Sequence, residues 1–386
     1  HDGLSVVFLE GSPAELGRQH GEALKVEFRR ATAALLGYFR TYLNIPLIRS
    51  VAANWWLDRS WVRANPFIPA DYLDELHALA SASGVSLRDL WRVHAIPDRT
   101  YACSGLAVWG RATADGRLIH TRNLDWTIEV GIQRHAAVLV VHPAGKHAFV
   151  NVGWAGFIGA LTGINDRRIS IGQIGAETAD MTSAGLPMTF LMRRVLEEAD
   201  DLEEAVRLIR EAPRTVGVNY VVSDANAKRA VVIETTRSHV AVFEADDVTE
   251  HGVAYARPLT DAVFRADTAV DAAIRDRQLA SGGNPRAPGL EPPTGSAYEV
   301  RYLGQSAGIL AHYGRIDVET AKEIAKAVAP RSNVQSVIFA WPELWVANAE
   351  GLTPAAHTTY HQLDLPTLFD TIQNPKSKIQ NSVTPQ

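Results

Sequence analysis

The chain has 386 residues, 46% of them apolar and 21% charged, with a formal net charge of -5. That composition suits a soluble globular protein with a sizeable core, and the acidic balance gives no footprint for nucleic acid. No uninterrupted apolar run approaches the roughly 20 residues that span a bilayer, so a soluble protein is expected, with the cytoplasm favoured.

Length alone would allow two or three domains, although layered α/β enzymes of this size often form one unit. The chain begins at His1 rather than Met, which leaves an upstream segment open. Its single cysteine, Cys103, excludes an internal disulfide and any multi-cysteine metal site. The 13 histidines show no H-E-x-x-H spacing, and no metal is expected.

In chain order, Leu4 to Glu10 reads as a short strand that runs into Gly11-Ser12-Pro13-Ala14-Glu15. This is a helix start: Ser12 caps, Pro13 suits the first helical position, and Glu15 completes a capping box. The helix is expected to run to about Tyr42. Residues 45–62 are apolar, aromatic and irregular, and read as core or lid. Asp71 is expected to cap a second helix that stops at Gly84. Ser86 is expected to cap a shorter one ended by Pro97.

From Cys103 the period becomes that of strands. Residues 103–110 and 117–124 flank Ala114-Asp115-Gly116, a hairpin turn signal. Further strands are expected over 136–143, 147–153, 167–174, 216–224, 229–236 and 239–245, with helices at about 185–199 and 201–211. Such grouping implies α+β layering rather than regular βαβ winding. Residues 281–296 read as a Pro/Gly loop and a candidate lid, and the tail from about Asn374 as disordered.

A lone cysteine, on count alone, is a small buried hydrophobe. At the first position of a strand just after a loop, however, its sulfur can attack the preceding carbonyl, here that of Ala102. The thioester that results is opened by water, and the product starts with Cys103. Its free α-amino group titrates near roughly 7.7–8.0, which suits a general base. The returning strand brings Arg122-Asn123-Leu124-Asp125-Trp126 back beside the cysteine end. Arg122 is the cation for a thiolate, and Asp125 the anion for the new ammonium. Being three apart, the two would face opposite sides of a regular strand, so this reading requires a bulge or strand end near Asn123.

Cys103-Ser104, a Gly-centred turn and Thr121-Arg122-Asn123-Leu124-Asp125-Trp126 resemble the C-[ST]…G-R-N-x-D-[WF] pattern of the cysteine N-terminal-nucleophile (Ntn) hydrolases. Those include choloylglycine hydrolases, acid ceramidase and N-acylethanolamine amidase. The opening Gly11-Ser12-Pro13-Ala14-Glu15-Leu16-Gly17-Arg18-Gln19-His20-Gly21 is similar to the pro-segment start of acyl-coenzyme A:isopenicillin N acyltransferase-like proteins. The resemblance covers most of the chain, up to roughly Leu368.

The resemblance implies an α+β fold, the four-layer αββα Ntn-hydrolase sandwich with an N-terminal helical pro-segment. Residues 1–102 would be the pro-segment, 103–373 the catalytic domain and 374–386 the tail. It implies cleavage between Ala102 and Cys103, with the pro-segment retained as a tightly associated subunit. The nucleophile falls on Cys103, its positioning pair on Arg122 and Asp125, and the oxyanion-hole amide on Asn219. A second active-site arginine falls on Arg237. Trp126, Trp154 and Ala155 would line the substrate pocket or offer a backbone donor. The implied substrate is a small-molecule N-acyl amide, taken to water or to an amine, and the chemistry requires no cofactor. An oligomer is left open. Where relatives carry T-N-H on a later strand, this chain has Ala254-Tyr255-Ala256-Arg257, which puts leaving-group recognition in doubt, and Thr121 replaces the usual Gly before the Arg.

Two rival readings remain. Gly304-Gln305-Ser306-Ala307-Gly308 matches G-x-S-x-G, with Asp317, His357 and His361 following in triad order. A Gly-bounded turn before a helix explains the same residues. The other rival is an Ntn-like scaffold that only binds ligand.

Overall fold

The computed structural model describes residues 4–42, 49–97, 102–253, 256–279 and 297–373. Strand β1 (Ser5–Gly11) leads to helices α1 (Pro13–Ala23), α2 (Lys25–Tyr42), α3 (Arg49–Ala64), α4 (Ala70–Ser83) and α5 (Leu87–Ala95). Strands β2 (Ala102–Val108), β3 (Ile119–Asp125), β4 (Ala136–Pro143), β5 (Phe149–Trp154), β6 (Thr162–Asn165) and β7 (Ile169–Gly175) follow. Next come α6 (Met188–Glu198), α7 (Leu202–Glu211), β8 (Val218–Asp224), β9 (Arg229–Thr235), β10 (Val240–Phe243) and β11 (Ala262–Arg265). The described chain closes with α8 (Ala272–Arg275), α9 (Ala297–His312), α10 (Val318–Val328), β12 (Asn333–Ala340), β13 (Glu343–Asn348), β14 (His361–Asp364) and α11 (Leu365–Gln373).

The strands form two sheets, in the orders β1-β4-β5-β6-β7-β8-β9-β10 and β11-β2-β3-β12-β13-β14. Among the described strands only β1 and β4 pair in parallel; the other strand pairings are antiparallel. The sheets stack face to face. Cys103, Ala107 and Leu124 of the second pack against Ile174, Val221 and Val232 of the first. At the other end, Val138, Val150 and Val152 meet Val337, Phe339 and Val346. Period-2 alternation sends the intervening residues outward. Ile171, Val222 and Ile233 meet α6 and α7, while Leu106, Val108 and Ile338 meet α9 and α10. The fold is mixed α+β with two sheets, and helices cover both outer faces.

The N-terminal helices dock by a close approach that the sequence motif encodes. The Ser12–Glu15 capping box forms as expected. On α1, a Cβ at Gly17 would lie 2.1 Å from the Glu75 carbonyl oxygen, and one at Gly21 would lie 2.8 Å from Ala82 Cβ. Glycine at both positions lets α1 lie directly on α4. Beside this seam, Arg193 of α6 bonds Glu75 of α4 (2.6 Å) and Glu197 (2.7 Å), and Tyr72 and Lys146 bond the same Glu197.

Several sequence expectations are corrected. The first helix breaks at Leu24, whose φ of -119° and ψ of 29° are not helical, so α1 and α2 are separate. Residues 49–64 are helical, not irregular: Ala53, Leu57 and Trp61 recur at four-residue spacing and are buried together on one face. Pro69, not Asp71, caps α4, and no side chain caps it; Asp71 lies in the first turn. Ser86 does cap α5, accepting from Asp89 N–H. The β2–β3 connection contains a 3-10 turn at Gly110–Ala112 and is longer than a two-residue hairpin. Ser306 lies inside helix α9 rather than on a strand-to-helix elbow, and Asp317 is the N-cap of α10. The 281–296 loop, the 374–386 tail, Ala254 and Tyr255 lie outside the described residues. No described helix is long and apolar enough to cross a membrane.

Candidate active site

Strand β2 carries Cys103 on the face turned toward the first sheet, directly opposite Leu124 of β3. The thiol has no solvent exposure. Arg122 Nη2 donates to Cys103 Sγ at 3.2 Å, and the thiol donates to Gln173 Oε1 at 3.6 Å. The same arginine donates from Nη2 to Gln173 Oε1 (3.0 Å) and from Nε to Gln173 O (3.2 Å). Room for its stem comes from Gly172, where a Cβ would lie 2.7 Å from Arg122 Cγ. Burial pushes the thiol up to about 11, and the Arg122 charge opposes that rise.

The backbone N–H of Cys103 donates to Asp267 Oδ1 at 2.6 Å. Asp267 follows β11, the edge strand beside β2. Asp125 is linked to Asp267 through Arg301. The β2–β3 register is unbroken from Ala102↔Asp125 to Val108↔Ile119, so the expected bulge on this side of Asn123 is absent. Arg122 therefore faces the cysteine, and Asp125 faces α9. There Asp125 Oδ2 accepts from Arg301 Nη1 (2.9 Å) and Oδ1 from Asn333 Nδ2 (3.0 Å). Arg301 also bonds Asp267, so one guanidinium bridges the two carboxylates. Burial raises Asp125 to about 7 and Asp267 to about 6, with Arg301 pulling both down.

Asn219 is fully buried on β8, and its Nδ2 donates to Ala266 O (3.3 Å) and Thr268 O (3.2 Å). It thus grips the two neighbours of Asp267 and makes no direct bond to the thiol. Arg237 is exposed on the turn after β9, with its backbone N–H on Asp180 O, and stands outside the buried group.

An apolar pocket lies beside Gln173 and Leu124, two neighbours of the thiol. Trp126, Trp154 and Ala155 line it, as do Leu124, which pairs with Cys103 across the strands, and Gln173, whose amide oxygen meets the thiol. Its opposite wall belongs to the N-terminal helices: Phe28 and Leu35 of α2, and Ile96 and Pro97 after α5. Ala155 offers no free backbone donor, since its N–H is given to His135 O. Tyr38 packs edge-on against Trp126 and bonds Thr127 through its hydroxyl.

Gln173, Asp267 and Arg301 are members that sequence reasoning missed. Alternation along β7 puts Gln173 in phase with outward-facing Ile169 and Ile171. Its side chain reaches the thiol where β6 has already ended, beside Leu161. No motif marks Asp267 or Arg301.

Residues 111–253 match the family described as acyl-coenzyme A:6-aminopenicillanic acid acyl-transferase. The chain is 29% identical over 260 residues to Protein dcd1B of Dictyostelium discoideum, covering 62% of this chain and 52% of that protein. It is 23% identical over 183 residues to the N-acylethanolamine-hydrolyzing acid amidase of Mus musculus, covering 45% and 50% respectively. Among solved structures, a mutant of the conjugated bile acid hydrolase from Clostridium perfringens aligns over 69% of this chain and 94% of its own. The identity is 15% and the TM-score 0.45. The chain spans about half the length of these curated relatives. The chain is thus similar over residues 111–253 to the acyl-coenzyme A:6-aminopenicillanic acid acyl-transferase family, and over about half its length it is related to the N-acylethanolamine-hydrolyzing acid amidases.

Proposed function

We propose that the chain is the precursor of an amidohydrolase or acyltransferase that cleaves an N-acyl amide through a Cys103 thioester, in a four-layer αββα sandwich. The observation that carries this reading is the placement of Cys103. Its nitrogen rests on a carboxylate, its sulfur on a guanidinium, and an apolar pocket opens beside it.

In the first step Cys103 Sγ attacks the Ala102 carbonyl carbon, and the peptide bond breaks as the amide nitrogen leaves with the thiol proton. Water opens the thioester, giving an Ala102 carboxylate, a free thiol and a free α-amine. That amine then takes the thiol proton, Asp267 holds the ammonium, and Arg122 holds the thiolate. The thiolate attacks the substrate carbonyl; collapse of the tetrahedral oxyanion expels the amine, which receives the proton from the α-ammonium. Water or a second amine releases the acyl group. Asp125 acts by holding Arg301, whose charge favours the ionised form of Asp267. Asn219 orders the 266–268 loop, and serves the oxyanion itself once one of its two carbonyl partners is exchanged for substrate. Arg237, outside the buried group, meets the polar part of a ligand in this reading. Fragments 1–102 and 103–386 remain associated, and the pocket walled by both takes the acyl chain.

Intact mass and N-terminal sequencing of the purified protein test the first step, and hydrolysis of fatty-acyl p-nitroanilides tests the second. Wild-type protein is expected as two associated fragments, the larger starting at Cys103. Cys103→Ala is expected as one inactive chain. Cleavage at 102–103 in that variant, or its full activity, would sink the proposal.

A further inference from the structure

A pocket built for hydrocarbon alone needs no polar lining. Yet three of the residues that line this one each carry a buried polar atom with no hydrogen-bond partner among the described residues: Thr32 Oγ1, Trp154 Nε1 and Gln173 Nε2. Buried donors are nearly always satisfied, and an orphan on a residue that lines a cavity is a place to look for a ligand atom. Of the three, only Gln173 also touches the nucleophile.

The orientation of its amide is fixed by chemistry. Arg122 Nη2 can only donate, so the atom that meets it at 3.0 Å is the Gln173 oxygen. The cysteine thiol donates to the same oxygen. Both hydrogens on Nε2 are then left over, on a side chain with no solvent exposure. Asn219 shows the opposite state. Its two amide hydrogens meet two backbone carbonyls, which cannot donate, so its Nδ2 is fully occupied.

We infer that Gln173 reads the substrate carbonyl: Nε2 donates to the oxygen of an N-acyl amide in the pocket while Oε1 keeps Arg122 and the thiol in place. This rests on the substrate class proposed above. One amide thereby couples ligand and nucleophile, and its donor lies ready to meet the oxyanion without any rearrangement of the 266–268 loop.

The test is binding, which does not depend on turnover. N-Methyloctanamide and octane are titrated into wild-type protein, Gln173→Glu and Gln173→Met, with Trp126 and Trp154 fluorescence as the readout. Gln173→Glu keeps an acceptor for Arg122 and loses the donor; Gln173→Met loses both, and misfolding of one variant leaves the other to decide. Loss of a buried hydrogen bond should weaken the amide by roughly five- to a hundredfold and leave octane within about twofold. Equal amide affinity in wild type and a folded variant, no amide binding by wild type, or an equal loss for octane overturns the inference. The two readings separate cleanly. Gln173-dependent amide binding by a protein that never cleaves itself or a substrate removes the proposed function and leaves this one standing. Turnover of acyl anilides that both substitutions leave unchanged does the reverse.

Discussion

Asp267 and Cys103 lie 164 residues apart, yet a 2.6 Å hydrogen bond joins the Asp267 carboxylate to the Cys103 backbone nitrogen. The atom that must become a free amine in the proposed chemistry is thus already held by an acid. That acid is not the one that the resemblance supplies.

Asp267→Asn keeps an acceptor at the cysteine nitrogen but removes the charge that would hold an ammonium. Self-cleavage and turnover are both expected to fall, by roughly tenfold or more, since a charge-assisted bond is about twice as strong as a neutral one. Precursor conversion followed by gel and kcat on an acyl anilide provide the check. Wild-type rates would return the amine-holding role to Asp125.

Arg193→Met strips the guanidinium that pairs with both Glu75 and Glu197, each nearly inaccessible to solvent. Removing one partner of a buried pair costs about 3–5 kcal/mol. The variant should therefore melt well below wild type and, once cleaved, release the 1–102 fragment. Calorimetry and size-exclusion chromatography read the two effects. An unchanged melting temperature would show that the cluster does not hold the N-terminal helices down.

Gly17→Ala places a methyl where the Glu75 carbonyl oxygen already sits, 2.1 Å away. Alanine favours helix, so α1 considered alone gains stability, by about 1 kcal/mol. Overpacking against α4 costs about 1–3 kcal/mol. Net destabilisation is expected, together with slower precursor processing. A stabilised variant would mean that α1 does not lie directly on α4.

Acid should loosen the same helices. His20 Nε2 accepts from Gly156 N–H (2.9 Å) and His94 Nε2 from Ile158 N–H (3.1 Å), which requires both rings to be neutral at that nitrogen. Burial lowers His20 to about 3 and His94 to about 4. A histidine whose folded value lies below its unfolded value of roughly 6.5 contributes stability that is complete above that pH. The contribution is lost as pH falls toward the folded value, at about 1.4 kcal/mol per pH unit for each ring. Asp125 and Asp267, raised by burial, act in the opposite direction between pH 7 and 4. His20→Gln retains an acceptor and removes one titration. Denaturant midpoints from pH 7 to 4.5 should therefore fall less steeply for it than for wild type; an unchanged slope would exclude His20 as a contributor.

Much of this fold was legible because its signals are local. The Ser12 cap, the alternation from Cys103 onward and the helix at about 201–211 each depend on a few neighbouring residues. The 45–62 segment misled because its tryptophans suggested irregularity, when Ala53, Leu57 and Trp61 already had helical spacing. The site was readable only along one hairpin, where Cys103 and Arg122 face the same way by period 2. Asp267, Arg301 and Gln173 join it through sheet edges and helix packing between segments far apart in sequence, which no short pattern encodes. Asn219 was singled out as a donor, but its bonding partners depend on where the 266–268 backbone passes.

Strand β1 forms one border of the eight-stranded sheet and is the only strand contributed from before Cys103 to that sheet among the described residues. A cut at 102–103 would leave this sheet shared between two polypeptides. The smaller polypeptide would then act as a donated strand as well as a pocket wall. Expressed without it, the 103–386 fragment would present the bare hydrogen-bonding edge of β4, an apolar strand running Ala136–Pro143, to any other chain in solution. The N-terminal portion would thus guard the larger fragment against self-association, independently of any part it plays at the cysteine.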